Sequence, residues 1–97
     1  MKAQNEIKMK DGSIIEKGSE FSYRFVDHKP LVTISDKEYH FSARGLAKLL
    51  GKKTPSMNCL EKWISEGYAK TITGHDVEPD GYGPDGSPSW FIALGLI

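Results

Sequence analysis

At Ser42 the hydrophobic period of the chain changes, and that change constrains the fold more than any other feature. Upstream, "EFSYRFV" alternates, with Phe21, Tyr23 and Phe25 on one face and Ser22 and Arg24 on the other. Downstream, Ala43, Leu46, Ala47 and Leu50 recur at helical spacing. A chain that alternates first and turns helical later segregates its strands from its helices, which is an α+β arrangement.

The strand half extends over residues 7–41. "KMKDGSIIEKGSEF" carries turn signals at Asp11-Gly12 and Lys17-Gly18 around the apolar pair Ile14 and Ile15. "PLVTIS" starts at Pro30, and "KEYHF" follows a turn at Ser35-Asp36. Three or four short strands at this spacing predict an antiparallel β-meander. Phe21, Tyr23 and Phe25 read as its core face rather than as a platform for stacking unpaired bases.

In the helical half, Ser42 stands as an N-cap and Gly51 where a helix end favours glycine. Lys52-Lys53 connects to a second helix, with Thr54 as its cap and Pro55 in its first turn, where a missing N–H costs nothing. Met57, Leu60, Trp63 and Ile64 are expected to share its buried face, and Gly67 to end it. At about 100° per residue, that face turns Asn58, Lys62 and Ser65 outward. "YAKTIT" reads as a strand, "GHDVEPDGYGPDGSPS" as a long loop, and "WFIALGLI" as a C-terminal strand buried on both faces.

Length and charge bound the function. Ninety-seven residues, 38% hydrophobic and 27% charged, fit one domain, 1–97, with one modest core. No apolar run reaches a membrane span, and "MKAQNEIKMK" lacks the apolar stretch of a secretory signal. The single cysteine, Cys59, excludes an internal disulfide framework and points to a reducing, cytoplasmic setting. Net charge is zero, but its distribution is uneven. From His40 to Lys70, Arg44, Lys48, Lys52, Lys53, Lys62 and Lys70 face only Glu61 and Glu66; beyond Thr71 stand Asp76, Glu78, Asp80 and Asp85 with no Lys or Arg. A basic middle and an acidic tail steer a polyanion through the local field, whatever the sum.

The pattern Ala47, Gly51, Met57, Leu60 resembles that of the helix-turn-helix family in its winged form: a small residue where two helices cross, a glycine four residues later, and apolar residues six and nine beyond it. The ending "KWISEG" is similar to the tail of recognition helices in excisionase-like and repressor-like proteins. The resemblance spans residues 39–97 and is sharpest over 42–67. Downstream of the N-terminal meander, it implies a winged helix-turn-helix, with 68–97 as a hairpin wing, and sequence-specific binding of double-stranded DNA by a small bacterial or phage regulator. Lys52 stands where the family usually has an apolar residue, and the wing loop is acidic rather than basic. In such a module Ser56, Asn58, Lys62 and Ser65 face base edges. Arg44, Lys52 and Lys53 hold phosphates, and the helix starts at Ser42 and Thr54 add anion-binding N–H groups. Such domains commonly pair, and the C-terminal strand or a meander edge would supply a homodimer contact.

The alternative is a protein-binding module, such as a phage-type inhibitor, on the same scaffold. The acidic loop 74–89 would then meet the partner, with Tyr82 and Trp90 as anchors, unless Tyr82 folds back on its own strands. Asp76, Glu78, Asp80 and Gly81 match the opening of a calcium loop, but Ser87 occupies the place of the closing glutamate. His28, His40 and His75 have no metal spacing, and no nucleophile, base and orienting acid occur in order. Neither a metal, a cofactor nor an enzymatic reaction is expected.

Overall fold

A computed structural model describes residues 1–97. The protein is a mixed α+β fold, 40 × 24 × 21 Å, built from seven short strands and three helices. No helix is long and apolar enough to cross a membrane.

The N-terminal half holds two antiparallel units. β1 (Ile7–Lys8) pairs with β2 (Ile14–Ile15), and β3 (Ser22–Val26), β4 (Lys29–Ile34) and β5 (Lys37–His40) form a separate three-stranded meander. The register is tight: Val26 pairs with Lys29 and Ile34 with Lys37, so each hairpin turns in two residues. Those residues, Asp27-His28 and Ser35-Asp36, all have positive φ. That is the backbone twist a two-residue hairpin needs, achieved here without glycine. Tyr23 and Phe25 point inward and meet edge to face at 5.7 Å, while Arg24 pairs with Glu38 at 2.8 Å on the outer face. The three aromatics of β3 and its approach therefore serve the core, as their alternation indicates.

α1 (Ala43–Leu49) packs against β1 and β4. α2 (Met57–Glu66) and α3 (Trp90–Ala93) both pack against β6 (Ala69–Lys70), which pairs with β7 (Asp76–Val77). One core joins the two halves, with Phe21, Val32, Leu46, Leu49, Leu60, Trp63, Ile72 and Trp90 among its buried members.

All three helices obey one local grammar. A serine caps each start: the hydroxyls of Ser42, Ser56 and Ser89 accept the N–H groups of Gly45, Cys59 and Ile92. A left-handed glycine follows each end, Gly51 at φ 75°, Gly67 at 76° and Gly95 at 74°. In each case two N–H groups fold back onto the last turn: Gly51 to Lys48 and Lys52 to Ala47, Gly67 to Ile64 and Tyr68 to Trp63, Gly95 to Ile92 and Leu96 to Phe91. This closure satisfies carbonyls the helix leaves unpaired.

Four expectations are corrected. The cap of α2 is Ser56, not Thr54, and Pro55 lies before the helix rather than in its first turn. Serine is the better cap, and an apolar residue just before a cap suits the chain's entry to the first turn. Met57 and Ile64 do not share the buried face; they are 61% and 53% exposed, and Leu60 and Trp63 are the buried residues of the helix, with Cys59 packed against the core beside them. "WFIALGLI" is the short helix α3 and its glycine stop, not a strand. The expected hairpin over 68–97 is thus confined to β6 and β7, with the remaining loop folded back through bridges Thr71–Ser89 and Tyr82–Pro88.

The first five residues, which show no periodic pattern, are part of the fold. Ala3 is buried, the Gln4 N–H donates to the Leu49 carbonyl at 2.9 Å, and the Asn5 amide donates to the Lys48 carbonyl at 2.8 Å. This segment therefore finishes the capping of α1.

Candidate functional site

α2 is anchored on one side and open on the other. Leu60 and Trp63 enter the core, and the Trp63 ring lies 6.1 Å from that of Tyr68 at the helix end. With these fixed inward, helical geometry turns Asn58, Lys62 and Ser65 to solvent, and all three are exposed. Met57 and Ile64 lie beside this polar ridge and give the outer face an apolar flank that periodicity assigned to the core. Ser56 is exposed, but its hydroxyl already accepts the Cys59 N–H at 3.2 Å, so its first role is to start the helix. Thr54 is half-buried in the connector and caps nothing.

Around α2 the basic residues stand clear. Arg44 and Lys48 are exposed on α1, Lys52 and Lys53 in the connector, and Lys62 on α2; none is in an ion pair. Lys52 and Lys53 also border a cavity of about 420 Å³ beside the inner edge of α2. Cys59, Trp63 and Trp90 contribute to its wall, and Lys70 reaches it from β6. The Lys52 ammonium crosses the β6–β7 turn so closely that a Cβ on Gly74 would lie 3.1 Å from it. Lys70 is held by Asp76 at 2.8 Å, and that hydrogen bond and its charge raise the Lys70 pKa. Sequence reasoning missed Lys70 as a neighbour of Lys52: the local excess of lysine was visible, but nothing periodic relates two positions separated by a helix.

The acidic segment divides differently from expectation. Trp90 is only 3% exposed and belongs to the core, which removes it as an anchor for a partner. As the first residue of α3 it packs under β6. Tyr82 remains 44% exposed, yet its ring rests 4.4 Å from His28 in the β3–β4 turn, so it does fold back on the chain's own strands. Asp85 is the centre of a cross-brace. It accepts the hydroxyls of Ser87 at 2.6 Å, Thr73 at 2.8 Å and Tyr23 at 3.1 Å, and the Ser87 N–H at 3.1 Å. Burial pushes its carboxyl up, but these donors outweigh burial and hold its pKa at about 2. The Tyr23 phenol is raised, first by burial and then by its bond to this carboxylate. No three of the His, Cys, Asp and Glu side chains converge where they could hold a metal ion. Asp76 lies in β7 and pairs with Lys70, whereas Asp80 lies in the turn that follows Glu78.

Exposed cations thus occur on α1, in the connector and on α2, and the β6–β7 turn, with Asp76 on Lys70, adjoins the connector lysines. No protein-family model, curated protein or solved structure matches the chain.

Proposed function

We propose that the protein binds double-stranded DNA in a sequence-specific manner, through α2 in the major groove on a scaffold of the winged helix-turn-helix type. The observation that carries this reading is the exposed ridge Asn58, Lys62 and Ser65 on a helix locked by Leu60 and Trp63, flanked by cations without ion-pair partners. Asn58 has the donor and acceptor to pair with adenine, and Lys62 the charge for guanine or phosphate. Arg44, Lys52 and Lys53 would neutralise backbone phosphates and set the position of the helix. The β6–β7 hairpin takes the place of the wing. Its neighbouring acids, Glu78 and Asp80, keep that loop away from the backbone, so the contact would be made by the helices. A small bacterial or phage regulator, acting in the cytoplasm as a dimer on paired half-sites, is the corresponding biological role.

The test is selection of bound fragments from random duplex DNA, followed by a salt titration on the enriched sequence. A specific duplex should emerge, and its affinity should fall steeply with salt as counterions are released. Asn58→Ala and Lys62→Ala should each cost about 1–3 kcal/mol on that sequence, and Lys52→Ala should weaken all duplexes alike. No enrichment at low salt overturns the proposal.

A second reading has its own observation. Met57 and Ile64 are large apolar side chains left exposed on the same helix, and such residues commonly anchor a protein partner. On that reading Met57→Ser with Ile64→Ser abolishes partner capture, and duplex binding is absent.

A further inference from the structure

β5 is an edge strand, and the register of the meander identifies the backbone groups it leaves unused. Lys37 and Tyr39 pair with Ile34 and Val32, and the Phe41 N–H donates to the Pro30 carbonyl at 3.2 Å. These alternate residues face β4, so the N–H and C=O groups of Glu38 and His40 point the other way, and no loop or terminus of the chain bonds them. β1 repeats the pattern. Ile7 pairs with Ile15, the Met9 N–H donates to the Ser13 carbonyl at 2.8 Å, and the backbone of Lys8 between them faces away from β2. Both strands border one cleft of about 460 Å³. Ile7 and Met9 on one side and Tyr39 and Phe41 on the other are half-buried there, while Lys8, Lys10 and His40 are exposed. Lys8 and Lys10 enter no ion pair. Asp11, the carboxylate of the cleft, already receives the Ser13 N–H at 2.9 Å, and Glu38 is held by Arg24 at 2.8 Å. An unpaired strand edge beside apolar side chains is the chemistry of β-strand addition, and the unpaired lysines set the charge of what is added.

We propose that β5 accepts an extended segment of another protein as an added strand, and that this segment alternates apolar and acidic residues. The backbone groups of Glu38 and His40 bond its main chain. Its apolar side chains enter the cleft toward Ile7, Met9, Tyr39 and Phe41, and its carboxylates meet Lys8 and Lys10. A strand's period of two puts these two kinds of side chain on opposite faces, which is why the segment must alternate. No residue named for the duplex surface takes part, so this site stands or falls separately from that reading.

The experiment is amide hydrogen exchange by NMR on the full chain at low ionic strength, with an end-blocked hexapeptide of alternating valine and glutamate as the probe. Its valine–lysine counterpart is the control. The valine–glutamate peptide should slow exchange at Glu38 and His40, whose N–H groups gain partners. Lys37 and Tyr39, already bonded to β4, should change little. Lys8→Glu combined with Lys10→Glu should weaken that peptide about tenfold, as expected of two reversed surface charges. The same variant should bind the valine–lysine peptide more tightly than the wild-type chain does, a gain that a poorly folded variant would not produce. Unchanged exchange at Glu38 and His40, equal binding of the two peptides by the wild-type chain, or an unaltered preference in the double variant overturns the proposal. So does slowing of these amides without peptide that grows with protein concentration, since a second copy of the chain then covers the edge.

Discussion

The Tyr23 hydroxyl on β3 donates to the Asp85 carboxylate at 3.1 Å, joining residues separated by 62 positions in the chain. Thr73 and Ser87 donate to the same carboxylate, so a single side chain ties the meander, the β6–β7 turn and the C-terminal loop together. Asp85→Asn removes the charge and one acceptor oxygen while keeping the shape. The buried Ser87 hydroxyl then competes for poorer partners. The expected loss is about 1–2 kcal/mol, read as a lower thermal midpoint, with Tyr23→Phe costing less because only one donor is removed. An unchanged midpoint for Asp85→Asn would remove the brace from this account.

The same carboxylate makes stability depend on acid. Its folded pKa is about 2, below the ordinary 3.8, so the folded state favours the ionised form. That contribution is complete above pH 3.8 and is lost as pH falls through about 2. Denaturant titrations across this window should show the wild-type chain losing stability more steeply than Asp85→Asn. Asp11, also lowered, by the N–H and hydroxyl of Ser13, titrates in the same direction and is common to both proteins, so the difference isolates Asp85.

Gly51 and Gly67 end their helices at nearly the same φ, 75° and 76°, in different surroundings. A Cβ on Gly51 would lie 2.9 Å from the Cβ of Gln4, whereas one on Gly67 meets nothing within 4 Å. Gly67→Ala should cost about 1 kcal/mol for its backbone alone, and Gly51→Ala about 2 kcal/mol or more. Deleting residues 1–4 should reduce the excess cost of Gly51→Ala toward that of Gly67→Ala. Equal costs in the full chain would show that the N-terminal segment does not press on the helix end.

The Ser35-Asp36 turn holds two non-glycine residues at φ 50° and 64°. Replacement by Asn-Gly supplies residues that adopt this conformation readily, and should stabilise the protein by about 1 kcal/mol. A raised thermal midpoint checks it. The Asp27-His28 turn is the poorer target, because His28 also carries the ring of Tyr82.

Local order was legible where local chemistry decides it. The alternation of "EFSYRFV", the turn at Ser35-Asp36 and the capped run from Ser42 to Gly51 all appear in the structure. The grammar was also present at the C-terminus, where Ser89 and Gly95 bracket "WFIAL" just as Ser42 and Gly51 bracket α1. A continuous apolar run hides helical period, because every position matches every template. The misplaced start of α2 has a simpler cause: Thr54 and Ser56 are both competent caps two residues apart, and the choice between them moves the start of the helix without changing which of its residues face inward.

The amino-acid order alone determined the alternation of β3, the Ser42 and Gly51 boundaries of α1, the Gly67 end of α2 and the outward course of Asn58, Lys62 and Ser65, since these follow from backbone geometry within a few residues. Only the tertiary structure decided that Trp90 lies in the core while Met57 and Ile64 stay exposed, that Lys70 joins Lys52 at one cavity, and that Asp85 receives Tyr23. Burial and charge pairing depend on which distant surfaces meet, and no local period encodes that meeting.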